Sequence, residues 1–162
     1  MPRDPSYQFT GAITRRPGPE AVDGLRAVDT GPPDLALMQR QHAEYVAALT
    51  GAGMAVTELP PLPGHPDAQF VEDSALCLPQ GAVLMRPGAP PRLGEVAPMG
   101  EVLATHYDDL RCITGPGTIE GGDILYTGAE ILVGRSARTD AAGIAELAGI
   151  VADWGHTLRE VA

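Results

Sequence analysis

Lysine and asparagine are both missing from this sequence, and its eleven basic residues are all Arg. Without Lys there is no Schiff-base chemistry and no phosphate-cradling P-loop lysine. Both absences read as coding bias first and physics second. Cysteine is scarce: Cys77 and Cys112 are too few for a disulfide framework. They suggest a reducing compartment or simply buried thiols. No stretch reaches the roughly 18 apolar residues of a membrane span. The polar start Met1-Pro2-Arg3-Asp4-Pro5 leads into no apolar run, so no secretory signal is expected. The default expectation is a soluble cytoplasmic protein. Positive charge is also in deficit, with 21 acids against 11 bases and a net charge of −10. That argues against a nucleic-acid or anionic-membrane partner, which needs a basic face. It is compatible with a cationic ligand.

Several chemical signatures are missing as well. His65-Pro66-Asp67 has no second His or Cys cluster beside it, so no metal is expected. Gly115-Pro116-Gly117 carries Glu120 where a dinucleotide loop wants Gly, and no organic cofactor is implied. A serine-hydrolase elbow, Gly-x-Ser-x-Gly, is absent.

What is present is a globular balance of 44% hydrophobic and 20% charged residues in 162. That length suits one domain, taken here as 1–162. Gly and Pro fall between periodic segments and read as turns. Residues 9–15 read as a strand. Residues 16–33 read as a loop, with a helical turn near 22–28. Asp34 then opens a helix in which Leu35, Met38, Tyr45 or Val46, and Leu49 recur at helical spacing, until Gly51 and Gly53 stop it. Residues 54–59 read as a strand. Two hairpins are expected, 74–78 with 82–85 and 124–126 with 131–133. Helices are expected over 96–106 and from Asp140, with Ile144, Leu147, Val151 and Trp154 facing one way. Residues 110–113 and 157–161 read as extended. Cys77, inside Ala75-Leu76-Cys77-Leu78, is expected to be an ordinary buried Cys, and Cys112 likewise.

The chain echoes itself. Asp73…Arg86 encloses two apolar runs around a Gly turn, and Asp123…Arg135 does the same at nearly equal length. Arg16-Pro17-Gly18 matches Arg86-Pro87-Gly88. The pattern suggests about three copies of a strand–strand–helix–strand unit, each burying its faces against neighbours.

Three stretches carry a resemblance. They are Phe70-Val71-Glu72-Asp73-Ser74-Ala75 with Arg86-Pro87-Gly88-Ala89-Pro90-Pro91-Arg92, then Ile119-Glu120-Gly121-Gly122-Asp123, then Val133-Gly134-Arg135-Ser136-Ala137-Arg138-Thr139. In this order and spacing they resemble the dimethylarginine dimethylaminohydrolases of the guanidino-group-modifying superfamily. The resemblance implies an α/β pentein, five strand–strand–helix–strand modules around a pseudo-fivefold axis. This chain would be the N-terminal portion, about three of the five. It also implies attack by a Cys thiolate on the guanidinium carbon of a methylated arginine. An amine leaves, and hydrolysis of the covalent intermediate gives citrulline, with a His as general acid and base. Site residues follow by matching. Asp73, beside Glu72, would bind the guanidinium. Glu120 would support the catalytic His and the guanidinium. Asp67 would lie near the substrate's amino end. Arg92 and Arg138 would bind its amino-acid end, and Leu25 would offer the backbone of a mobile loop.

Elementary chemistry agrees with such roles. Carboxylates in a fork suit a planar guanidinium, and Arg suits a carboxylate for the same geometric reason. Taken alone, Glu72-Asp73 would be a solvated strand end, and Arg92 and Arg138 surface ion-pair partners. One departure matters. The family's His follows the strand that here reads 157–161, and its Cys lies in the fifth module. Neither position falls within residues 1–162. The 162-residue polypeptide is therefore expected to be inactive alone, as a fragment lacking its C-terminal half or as a short protein that pairs with a partner or with itself. The alternatives are a non-catalytic module that binds guanidinium compounds, or a related arginine deiminase or hydroxyarginine hydrolase.

Overall fold

The computed structural model describes residues 6–161. The fold is mixed α/β, and the chain divides into two compact units. The smaller is Gln8–Val71, and the larger holds residues 72–161 with Ser6 and Tyr7.

In the smaller unit β1 (Gly11–Arg15) and β2 (Ala55–Leu59) pair in parallel, Gly11 opposite Ala55 and Arg15 opposite Leu59. Parallel neighbours need a crossover, and α1 (Leu35–Gly51) supplies it. Asp34 caps α1 as expected, its carboxylate accepting the Leu37 N–H at 2.9 Å. Gly53, at φ 87°, turns the chain toward β2. The helical turn lies at Pro19–Asp23, earlier than expected, because Pro19 starts it with φ already set and Gly24 ends it. α1 forms as expected but buries no residue within the chain, and Leu37 and Tyr45 are exposed.

The larger unit contains the same arrangement twice. β3 (Ala75–Leu78) pairs antiparallel with β4 (Gly81–Leu84), which pairs in parallel with β5 (Leu110–Cys112) across α2 (Val96–Leu103). β6 (Ile124–Tyr126) pairs antiparallel with β7 (Ile131–Gly134), which pairs in parallel with β8 (Leu158–Val161) across α3 (Ala141–Asp153). Asp140 caps α3 by accepting the Gly143 N–H at 2.9 Å. Two complete strand–strand–helix–strand units are thus visible. Among the described residues the first copy shows only strand–helix–strand. A 3-10 turn (Pro90–Glu95) leads into α2, which ends at Leu103 rather than His106.

One apolar core unites the two arrangements. Leu78, Val83, Met85 and Ile113 come from the first, and Ile119, Ile131, Val133, Ile144, Leu147 and Val151 complete it. Ile144, Leu147 and Val151 lie on the face of α3 that the spacing predicts.

The expectation for the two cysteines is corrected: both are exposed. Strand alternation explains this. Leu76 and Leu78 face the core, so Cys77 points to the other side of the sheet. Cys77 lies opposite Ala82 and Cys112 opposite Leu84, two residues further along β4, so both thiols share that outer face. Among the described residues no helix is long and apolar enough to cross a membrane.

Candidate active site

Most of the residues singled out in the sequence lie in the larger unit, and backbone packing brings them together. Beyond β4, Arg86 bridges to Ile119, whose N–H donates to the Arg86 carbonyl at 2.9 Å. This sets Glu120 beside the Arg86-Pro87-Gly88-Ala89 stretch. Gly121 lies against the carbonyl of Glu72, where any Cβ would collide with backbone. A Cβ on Gly122 would reach 2.5 Å from Asp73 Oδ1. Instead the Gly122 N–H donates to that oxygen at 2.9 Å. The Gly-Gly pair is therefore what lets the strand end bearing Glu120 dock on the 3-10 turn Val71–Ser74. Gly88 serves the same purpose against the backbone of Arg138.

Two guanidinium–carboxylate corners result. In the first, Asp73 Oδ2 accepts a hydrogen bond from Arg92 Nη1. Arg92 is 2% exposed and also grips Glu95. Its Nε donates to both Glu95 oxygens at 3.2 and 3.1 Å, and Nη2 donates to Oε2 at 2.7 Å. Glu95 is itself buried. Burial alone would lower the Arg92 pKa, but Glu95 and Asp73 outweigh it and hold the guanidinium charged.

In the second corner, Glu120 is buried while Arg138 keeps 41% of its side chain exposed, and Arg138 Nη1 donates to Glu120 Oε2 at 3.1 Å. The Ala89 N–H approaches Glu120 Oε1 at 3.4 Å. Behind this pair lies a network that the sequence reading missed. Fully buried Thr139 accepts the Glu120 N–H at 3.1 Å through its hydroxyl. The same hydroxyl donates to Asp123 Oδ2 at 2.6 Å. Ser136 Oγ also donates to Asp123 Oδ2, at 2.7 Å, and accepts the backbone N–H groups of Arg138 and Thr139. The turn that presents Arg138 is thus tied to the Gly-Gly-Asp stretch that presents Glu120.

Glu72 is exposed beside Asp73. Leu25 and Asp67 lie in the smaller unit. Asp67 is buried, Leu25 is exposed, and both Asp67 oxygens lie 3.1 Å from the Leu25 nitrogen, whose N–H they accept. The smaller unit also has a cleft of about 380 Å³ between Arg16, Pro17, Gln39, His42, Ala43, Glu58 and Pro61. None of the sequence-predicted site residues lines it. Among the described residues no three His, Cys, Asp or Glu side chains converge as a metal centre would need.

A family model described as arginine deiminase matches residues 37–162. The dimethylarginine dimethylaminohydrolase of Pseudomonas aeruginosa is 38% identical over 148 residues, 91% of this chain and 58% of that protein. That of Streptomyces coelicolor is 38% identical over 137 residues, 84% of this chain and 53% of its own length. The chain thus spans a little over half the length of the curated relatives it matches. A solved structure of a mutant P. aeruginosa enzyme complexed with citrulline superposes with a TM-score of 0.93 at 37% identity, over 96% of this chain and 61% of that one. The N-terminal domain of a cyanobacterial arginine dihydrolase shares the fold, with a TM-score of 0.78 at 17% identity over 91% and 56% of the two chains. The docked Glu-Asp and Glu-Gly-Gly-Asp stretches and the length of the family match agree: the chain belongs to the arginine deiminase family and is similar to its dimethylarginine dimethylaminohydrolases.

Proposed function

We propose that this chain supplies the substrate-holding part of an amidine hydrolase of the dimethylargininase type. The observation that carries the reading is the docking of Asp73 and Glu120 across Gly121-Gly122, with a half-open Arg138 beside them. The 38% identity to two dimethylarginine dimethylaminohydrolases supports the substrate class.

In this reading Asp73 and Glu120 hold the substrate guanidinium, whose planar donors match carboxylate acceptors. Arg138 has exposed guanidinium surface for the substrate's carboxylate. Arg92 serves the substrate through Asp73, because its own guanidinium is buried and occupied by two carboxylates. Glu72 flanks the guanidinium end, while Leu25 and Asp67 serve the amino end. A Cys thiolate adds to the guanidinium carbon. The amine leaves with a proton from the His, and water then displaces the thiolate to leave citrulline. Glu120 supports the His. No resident metal or organic cofactor takes part. The family's Cys and His positions have no counterpart within residues 1–162, and on this reading the 162-residue polypeptide assayed by itself gives no turnover.

Citrulline release from dimethylarginine, arginine and hydroxyarginine tests this. The 162-residue chain is assayed alone and fused to the C-terminal part of the P. aeruginosa relative. The expected result is no turnover alone and preference for dimethylarginine in the fusion. Preference for arginine would move the reading to a deiminase. A folded fusion inert toward all three would overturn it.

A further inference from the structure

The smaller unit holds a loop whose attachment has a specific design. Leu25 and Val28 are 45% and 73% exposed. Hydrogen bonds inside the loop are short-range. Arg26 donates to the Gly31 and Val22 carbonyls, and the Gly31 N–H donates to Asp29 Oδ1. Asp67 reaches it from 42 residues away. Both its oxygens lie 3.1 Å from the Leu25 nitrogen, and it is 5% exposed. Gly24 makes the approach possible. Its φ of −57° suits any residue, so conformation does not require glycine. Space does: a Cβ there would lie 2.7 Å from Asp67 Oδ1.

We propose that Asp67 is a positioning residue that acts through the backbone of Leu25, anchoring the loop that follows Gly24. Gly24 is bare so that the carboxylate fits. The anchor fixes the peptide plane ahead of Leu25 and restricts where that residue presents its carbonyl. Its functional weight rests on the reading that the Leu25 backbone serves the substrate's amino end; the anchor itself does not.

Residue-resolved amide hydrogen exchange on the unliganded chain tests it. In Asp67→Ala, exchange at Leu25 should rise about tenfold or more, the effect expected from losing a charged acceptor. Asp67→Asn keeps one acceptor oxygen and should give a smaller rise. Gly24→Ala should match Asp67→Ala by pushing the carboxylate away. Amides of α1, β1 and β2 should keep wild-type rates in all three. Unchanged exchange at Leu25 in folded Asp67→Ala, or a rise spread evenly over the smaller unit, would overturn the anchor. If Asp67→Ala fails to fold, Gly24→Ala decides alone, and a wild-type rate at Leu25 in it overturns the proposal. No ligand is present, so a failure to bind or turn over methylarginine would sink the functional reading without touching this result.

Discussion

The two guanidinium–carboxylate corners of the larger unit look alike in sequence and differ in the structure. Arg92 is 2% exposed and held by two carboxylates, whereas Arg138 is 41% exposed and meets Glu120 through one nitrogen. The first is a buried ionic cluster whose members were desolvated on folding. The second is a buried acid with a solvent-facing partner. The difference teaches that one kind of ion pair can be packed in two ways. Arg92 fixes an acid, while Arg138 has surface to offer a ligand.

The sharpest way to break this comparison is to remove each arginine. Arg92→Ala leaves Asp73 and Glu95 without their shared cation. It should cost about 3–5 kcal/mol, the range for breaking a buried pair, read by urea unfolding. Arg92→Lys should recover only part of that, because an ammonium cannot fork toward both acids. A loss below about 1 kcal/mol for Arg92→Ala would mean that the corner is solvated like an exposed pair. Next comes Thr139→Val. It strips Asp123 of one donor and the Glu120 N–H of its acceptor. A loss of about 1–3 kcal/mol is expected from a donor left buried and unpaired. In a completed enzyme this variant should lower kcat more than it raises KM, since it disturbs Glu120 and not the substrate's far end. An equal change in both would assign Thr139 to binding.

Much of the fold is legible in the sequence because its signals are local. Apolar runs broken by Gly mark both hairpins, and Asp34 and Asp140 mark two helix starts. The cysteines show the limit. A four-residue apolar run looks buried on both faces, yet alternation turned Cys77 outward. The exposure of α1 is likewise invisible to periodicity, which gives a helix face but not what covers it. Within the site, the acids were legible through their motifs. Glu95 was not, although Arg92 and Glu95 stand three apart across one turn, a spacing that pairs side chains. Thr139 and Asp123 escaped because their link spans 16 residues and depends on how two turns dock.

Arg138→Ala sharpens the contrast from the other side. About 1 kcal/mol of stability should be lost, at the upper end for a solvent-facing pair. In a completed enzyme KM for dimethylarginine should rise at least tenfold, while an analogue lacking the carboxylate should bind the variant and the parent alike. If the analogue loses affinity equally, Arg138 acts through Glu120 and not on the carboxylate.

The smallest effect separates the corners by pH. Asp140 accepts the Gly143 and Thr118 N–H groups, and Glu146 accepts those of Thr114 and Gly115. These backbone bonds, against a smaller opposing effect of desolvation, hold both carboxyls below their usual range. A carboxyl depressed in the folded state contributes stability above its unfolded pKa and loses it as pH falls through the folded one. Acidification below the ordinary carboxylate range should therefore loosen the Thr118–Glu120 segment, which Asp140 and Thr118 tie to α3. The Arg92 corner receives no bond from either group. The protection of the Glu120 amide should fall as pH drops through that range, with the Gly122 amide, whose N–H rests on Asp73, as the comparison. Asp140→Asn with Glu146→Gln should flatten the acid dependence at Glu120 and leave Gly122 as it was. A parallel loss of protection at both amides would mean that the two corners open as one unit.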